Sequence, residues 1–375
     1  MVTQSSRYCR SMKALPLSLF ALSTVLACGA AQEPAPPAPA PTPAPEPPAA
    51  SAAAVAPAPA PALSPEEKKK EEERKALEAD RQKMLGDHEA EVARLTPELR
   101  AQAKTLADKD YGSGRAAIEA ALAGKHRKPG NAERDTQRHP QATLEFFGFK
   151  PNMTVLEYGP GEGWYTELLA PALAKKGKLI VTTTDPAGPV DQRSTLYGLR
   201  TKLFLERAPE VYGKVETATI DGKNPDLTID GKVDLVIVFR GLHGMVNNNV
   251  LPQWLGELHA ALKPNGVLGI EQHRGQPDAD PVASAKKGYL PEKWVIEQVQ
   301  AAGFKLAGKS ELNANPKDTK DHPEGVWTLP PTLRLGDKDK AKYLAIGETD
   351  RMTLKFVKVA KPAAAKPAAA PPAAK

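Results

Sequence analysis

TVLEYGPGEGWYT, residues 154–166, decides how the rest of the chain is read. Thr154, Val155 and Leu156 lead into an acid, Glu157. Glycines then alternate with other residues at Gly159, Gly161 and Gly163, and the amphipathic run WYTELLAPALAKK begins at Trp164. An apolar run that breaks into glycines and resumes with helical spacing is a strand, a tight turn and a helix. Glycine suits such a turn where backbone must come close to a ligand, because a Cβ would restrict the dihedrals and fill the space. The helix start adds unpaired N–H groups and the positive end of the helix dipole. The stretch predicts a nucleotide-type cofactor loop.

Working outward, strands are expected at 154–158, 178–184, 215–220, 233–239 and 266–272. Helices are expected at 164–176, 191–207, 251–262 and 291–302. A last pair of strands, 305–312 and 352–359, is split by a long insertion over 313–347. Such alternation predicts an α/β domain over 126–359, with a mostly parallel seven-stranded sheet covered by helices on both faces. Ligands of such a sheet lie outside the carboxyl ends of the strands, where the strand order reverses.

The flanks have a different character. Residues 1–28 carry Arg7, Arg10 and Lys13, then ALPLSLFALSTVLA, then Cys28. That is a secretory signal, and Val25-Leu26-Ala27-Cys28 resembles a bacterial lipobox, so a lipid on Cys28 is expected. Residues 29–63 are nearly all Ala and Pro and read as a disordered, semi-rigid linker; 360–375 has the same composition with added lysines. Ser64-Pro65-Glu66-Glu67 opens a helix. Its charged run reads as a solvent-exposed helix or stalk, the first part of a helical segment over 64–125. Both cysteines, Cys9 and Cys28, lie in the leader, leaving the body without disulfide, thiol nucleophile or cysteine metal site. The net charge of +6 comes from lysines and arginines spread along the chain, which disfavours nucleic-acid binding.

The glycine spacing narrows the cofactor. A dinucleotide loop needs G-x-G-x-x-G, but Trp164 occupies the third glycine position; no Gly-Lys-Ser/Thr follows to make a P-loop. Glu157 would repel a pyrophosphate and tolerate a cation. S-adenosylmethionine carries a sulfonium and an ammonium and no phosphate. Asp185, ending the second strand, stands where a ribose diol accepts a carboxylate; Asp221, ending the third, could reach an adenine amino group. Either acid could equally be a strand-end turn carboxylate.

With acids ending strands two and three, E-x-G-x-G-x-G resembles the class I S-adenosylmethionine-dependent methyltransferases. RHPQATLEFFGFKP, EYGPGEGWYTELLAP, FRGLHGM and the block NANPKDTKDHPEGVWTLPPTLRLGDKDKAKYLAIGETDRMTLKFVK are similar to a narrower family of bacterial predicted methyltransferases, many of them exported. The resemblance spans about residues 116–358. It implies a Rossmann-like methyltransferase fold in which Gly159, Gly161 and Gly163 pass the methionyl part of the cofactor. Glu157 would orient the loop or reach the ammonium through water, Asp185 would bind the ribose and Asp221 would face the adenine. Trp164 and Tyr165 either wall the pocket or pack the helix on the sheet.

Methyl transfer from a sulfonium is an in-line displacement, so positioning supplies most of the catalysis and a base is needed only for a protonated nucleophile. No Asn/Asp-Pro-Pro-Tyr/Phe follows strand four. His243 stands there instead, and His273 lies just past strand five; each is a candidate base or substrate contact, or else a structural histidine. Arg138-His139 could cap the cofactor pocket. His243, His273 and His322 show no metal-ligand spacing. The 313–347 insertion is a candidate lid or substrate wall. Two functions are in view. One is an exported, lipid-anchored methyltransferase on the periplasmic face of the outer membrane, acting on an O, N or S nucleophile of a small molecule or envelope component. The other is a methyltransferase-fold binding protein with little transfer activity.

Overall fold

The computed structural model describes residues 64–222 and 224–359. The expected leader with Cys28, the 29–63 linker and the 360–375 tail lie outside the described residues.

Ser64 opens α1 (Pro65–Arg94) with a capping box: its hydroxyl accepts the Glu67 N–H and the Glu67 carboxylate accepts the Ser64 N–H. The helix is charged nearly all round, and Leu77 is its buried residue. It does not stand away as a stalk. Arg81 donates to the Val190 carbonyl and Asp80 pairs with Arg193 at 3.0 Å, so α1 lies on the domain. α2 (Pro97–Asp108), α3 (Gly114–Leu122), α4 (Asp135–Arg138) and α5 (Pro140–Phe147) complete the lead-in. The helical segment and the sheet form one compact unit.

β1 (Thr154–Tyr158), α6 (Thr166–Leu173) and β2 (Lys178–Thr183) fold as the sequence indicates, α6 being shorter than expected. Pro171 sits inside α6 and has no N–H for the Glu167 carbonyl four residues back. His126 Nε2 donates to that carbonyl instead, at 2.8 Å. The Glu167 carboxylate, fully buried, accepts from the Lys128 N–H, Asn131 Nδ2 and Arg207 Nη2 at 2.7–2.8 Å. One helix residue thus clamps the segment that precedes the sheet.

α7 (Arg193–Glu206), α8 (Pro209–Tyr212), β3 (Glu216–Thr219), β4 (Val233–Phe239), α9 (Leu242–Asn247), α10 (Leu251–Ala261) and β5 (Leu262–His273) follow. β5 starts earlier than expected because Leu262 already pairs with Val233 before a register shift. α11 (Pro281–Lys286), α12 (Glu292–Ala301), β6 (Phe304–Ser310), α13 (Lys340–Ile346) and β7 (Arg351–Lys358) close the chain. The strand order is β3-β2-β1-β4-β5-β7-β6, with β7 antiparallel to both neighbours and the other pairings parallel. The architecture implied by the resemblance is present: a mostly parallel seven-stranded sheet preceded by helices.

Alternating side chains send each strand into two cores. Val155, Val181, Leu235 and Ile237 face α3, α5 and α6; Leu156, Ile180, Val236, Val238 and Leu268 face α10 and α12. The strand order reverses between β1 and β4, which opens the crevice at their carboxyl ends.

Candidate functional site

Parallel register brings the candidates to one edge. Tyr158 pairs with Val238, Thr183 with Thr219 and Phe239 with Glu271. Gly159, Asp185, Asp221, Arg240 and His273 therefore all emerge at the carboxyl ends of adjacent strands.

The glycines divide into two kinds. Gly159 (φ +58°) and Gly161 (φ +61°) need left-handed backbone, and a Cβ on either would meet nothing within 4 Å. Their faces look onto open space that a ligand can enter. Gly163 (φ +80°) is different: a Cβ there would lie 2.1 Å from the Phe204 ring, so this glycine admits α7 and not a ligand. Trp164 and Tyr165 turn inward and pack in the core between helix and sheet. Trp164 is 5% exposed, donates through Nε1 to the Asn131 carbonyl and lies under the Arg138 guanidinium. Tyr165 stacks on Phe239 at 3.5 Å, and its hydroxyl donates to Glu271.

Glu157 is 3% exposed and accepts the Thr166 hydroxyl at 2.7 Å. Burial pushes its carboxyl up to about 7 against the pull of Thr166 and Arg240. It ties the strand end to the start of α6 and so orients the loop from beneath. Gly159 N–H donates to Thr182 Oγ1 at 2.8 Å, fixing the turn's other side. Asp185 is exposed; one of its oxygens accepts the Ala187 N–H at 2.8 Å. Asp221 is exposed as well and accepts from Asn224 Nδ2 at 3.2 Å. Both carboxylates make strand-end turns and present a face to solvent beside the open glycines.

His243, at the start of α9, and His273, ending β5, come together with ring centroids 5.9 Å apart. Gln272 Nε2 lies 3.4 Å from His243 Nδ1, and the Thr349 hydroxyl 2.6 Å from His273 Nδ1. Burial lowers the His243 imidazole to about 4 with help from Arg240, and lowers His273 well below the usual range with help from His243 and Arg240. Trp327, from the insertion, stands edge-on to His243 at 5.9 Å. Trp327 thus brings the insertion against His243. His322 is elsewhere, against Asp318 Oδ1 at 2.9 Å and edge-on to Tyr343.

Beside the histidines lies a polar network the sequence reading missed. Arg240 adopts left-handed backbone (φ +56°), and both its N–H and its Nη1 donate to Glu271, at 2.6 and 2.5 Å. Holding a non-glycine residue there is backbone strain stabilised by this contact. Arg351 reaches Glu271 at 3.4 Å and Glu348 at 2.6 Å, while Arg138 donates to both Glu348 oxygens at 3.0 Å. Burial opposes the Glu348 charge, but Arg138, Arg351 and Arg240 outweigh it and hold the carboxyl down to about 2. A usable signal existed: EQHR (271–274) places charged residues at the end of an apolar strand, where burial requires partners.

A family model described as a methyltransferase domain matches residues 132–305. Among solved structures, the chain is similar to a SAM dependent methyltransferase from Aquifex aeolicus, with 19% identity, 62% of this chain and 94% of that chain covered, and a TM-score of 0.41. It is also similar to the Burkholderia thailandensis 1,6-didemethyltoxoflavin-N1-methyltransferase with bound 1,6-didemethyltoxoflavin and S-adenosylhomocysteine (14%, 66% and 87%, 0.37). A third is the N-methyltransferase NodS from Bradyrhizobium japonicum WM9 in complex with S-adenosylhomocysteine (14%, 65% and 98%, 0.38). No curated protein matches the chain at a significant level.

Proposed function

We propose that the chain is an S-adenosylmethionine-dependent methyltransferase acting on an O, N or S nucleophile of a small molecule or envelope component. The observation that carries the reading is the turn at Gly159 and Gly161, left-handed and open, flanked by exposed Asp185 and Asp221 and lying within the methyltransferase-domain match. The charge is of one sign: Asp185 and Asp221 follow the strands on the β2–β3 side of the turn, and no lysine stands in the loop. The bound cofactor supplies a methyl group on a sulfonium, whose departure leaves a neutral thioether.

The chain's own residues do the rest. Backbone at Gly159 and Gly161 lets the methionyl part approach, Asp185 accepts from the ribose hydroxyls and Asp221 from the adenine amino group. Burial keeps both imidazoles neutral, so each carries one nitrogen lone pair. With Gln272 donating to His243 Nδ1, the His243 proton sits on Nε2 and that nitrogen donates. In the tautomer whose Nδ1–H donates to the Thr349 hydroxyl, His273 Nε2 holds the lone pair. His273 is therefore the base for an acceptor that arrives protonated, and His243 the hydrogen-bond donor that positions it. Trp327 stands edge-on to His243 and borders the pair on that side. The leader and its lipobox-like Cys28 support placing this activity in the cell envelope, on a lipid anchor facing the periplasm.

Calorimetry on the purified chain tests the reading. Heat of binding is expected with both S-adenosylmethionine and S-adenosylhomocysteine, and an affinity about tenfold lower for Asp185→Ala, the worth of a charge-assisted hydrogen bond. Absence of heat with both ligands would overturn it.

A further inference from the structure

A cavity of about 310 Å³ lies between α1 and α7. Glu162 of the glycine turn stands on its wall, whereas Gly159, Gly161, Asp185 and Asp221 do not. Two helix faces line it at helical spacing: Asp80, Met84 and His88 from α1, and Leu196, Arg200 and Leu203 from α7. Packed helices normally close such a seam with an apolar stripe on each side. Here α7 alone supplies one. Its Leu196 and Phe204 are buried and Leu203 is half-buried, whereas α1 answers with half-buried Met84 among charged residues. The seam is left open along an apolar wall.

The charges around this cavity pair off with one exception. Asp80 meets Arg193 at 3.0 Å and Lys83 meets Asp87 at 2.7 Å. Glu91 is bound by Arg94, Arg207 is bound by Glu167, and Lys128 stands 3.9 Å from Glu162. Arg200 has no hydrogen bond or ion pair among the described residues; its guanidinium lies over the Tyr197 ring, 4.9 Å from the centroid. That stacking holds the group in place. Its Nε–H is shielded from solvent and meets no acceptor. A shielded donor of this kind costs free energy until an oxygen reaches it, and guanidinium geometry matches carboxylate or phosphate best. An apolar wall with one fixed charged group is the make-up of a small-molecule site.

We propose that the α1–α7 cavity binds a small acid with an apolar body, its acid group on Arg200 and its body against Met84, Leu196, Leu203 and Phe204. The site goes beyond the methyltransferase reading and uses none of the residues assigned to the cofactor. Phe204 borders both, because its ring fills the place a Cβ on Gly163 would take, 2.1 Å away. The ligand also completes the seat of α1, whose own buried residue is Leu77.

The test is calorimetry on the purified full chain with octanoate, acetate and 1-octanol, each with and without S-adenosylhomocysteine. Octanoate should bind at least about tenfold more tightly than acetate, which lacks the body, or octanol, which lacks the acid. Arg200→Gln breaks no ion pair, so the variant should unfold at the parent's temperature and bind octanoate about tenfold more weakly. Met84→Gln, which alters the α1 side alone, should weaken octanoate about fivefold and leave acetate unchanged. Amide hydrogen exchange in α1 and α7 should slow when octanoate is bound. No heat with octanoate, equal affinity for acetate, unchanged exchange in both helices, or an Arg200→Gln chain that binds like the parent would overturn the proposal. Competition between octanoate and S-adenosylhomocysteine would assign the cavity to the cofactor and overturn it too. Octanoate binding in a chain that ignores S-adenosylhomocysteine would instead sink the methyltransferase reading and leave this site standing.

Discussion

The imidazole rings of His243 and His273 stand 5.9 Å apart at an angle of 51°, one starting α9 and the other ending β5. Register sets this meeting: Phe239 pairs with Glu271, and both chains leave the sheet just beyond that pair. Two neutral imidazoles, each held through Nδ1, then flank the crevice from its β4–β5 side.

The pair makes stability depend on pH in a defined direction. His243 is lowered to about 4 from 6.5, and His273 is lowered further by burial and by His243 itself. A histidine that the fold keeps neutral takes up its proton more readily when unfolded, so its contribution is complete above about 6.5 and is lost as pH falls toward about 4. Urea midpoints of the parent should fall across that window, and His243→Asn should show a shallower fall. Equal slopes would contradict the burial of this ring.

Glu157 acts with the opposite sign. Its carboxyl is raised from 4.5 to about 7, first of all by burial. The folded chain keeps this proton where the unfolded chain releases it, so the group stabilises below about 4.5 and that stabilisation is lost as pH rises to about 7. Glu157→Gln stays neutral throughout and can still accept the Thr166 hydroxyl. Its urea midpoint relative to the parent should therefore rise between pH 4.5 and 7 and then level off.

The glycines should separate by cause. Gly163→Ala brings a Cβ into the Phe204 ring on left-handed backbone and should cost about 3 kcal/mol of unfolding free energy. Gly161→Ala meets no atom within 4 Å and should cost about 1 kcal/mol, the backbone penalty alone. The order reverses for S-adenosylhomocysteine affinity, where Gly161→Ala should be the more damaging. Thermal unfolding and calorimetry on both variants give the comparison.

Removing the charge of Glu271 exposes the excess of arginine around it. Glu271 is fully buried and engages Arg240, Arg351, Tyr165 and Asn313. Glu271→Gln should cost about 3–5 kcal/mol in urea unfolding, the range for breaking a buried ion pair. A loss below about 1 kcal/mol would show that solvent reaches the pair.

Much of the strand and helix order was legible because period and punctuation are local. Val155 and Leu156 before Gly159, and Val233 to Phe239 before Gly241, announce buried parallel strands whatever surrounds them. Boundaries slipped where a distant partner decides them: β5 reaches back to Leu262 because Val233 pairs there, and α1 lies down because Arg193 and the Val190 carbonyl receive it. The placement of the candidate residues was legible in the same measure. Asp185 and Asp221 follow from their place after strands. Glu348, Arg351 and Thr349 carried no local signal, since nothing nearby in the chain needs them.

The sequence by itself determined the strand–glycine–helix unit at 154–166, the acids at the ends of strands two and three, and a sheet covered on both faces. Each of these is encoded in neighbouring residues. Only the tertiary structure decided which glycines face open space and which faces Phe204, that Trp164 and Tyr165 pack the core, and that His243 meets His273 beneath Trp327. It alone gathered four arginines around two carboxylates. The reason is physical: dihedral preference and hydrophobic period act over a few residues, whereas burial and charge balance are set by whatever the fold brings alongside.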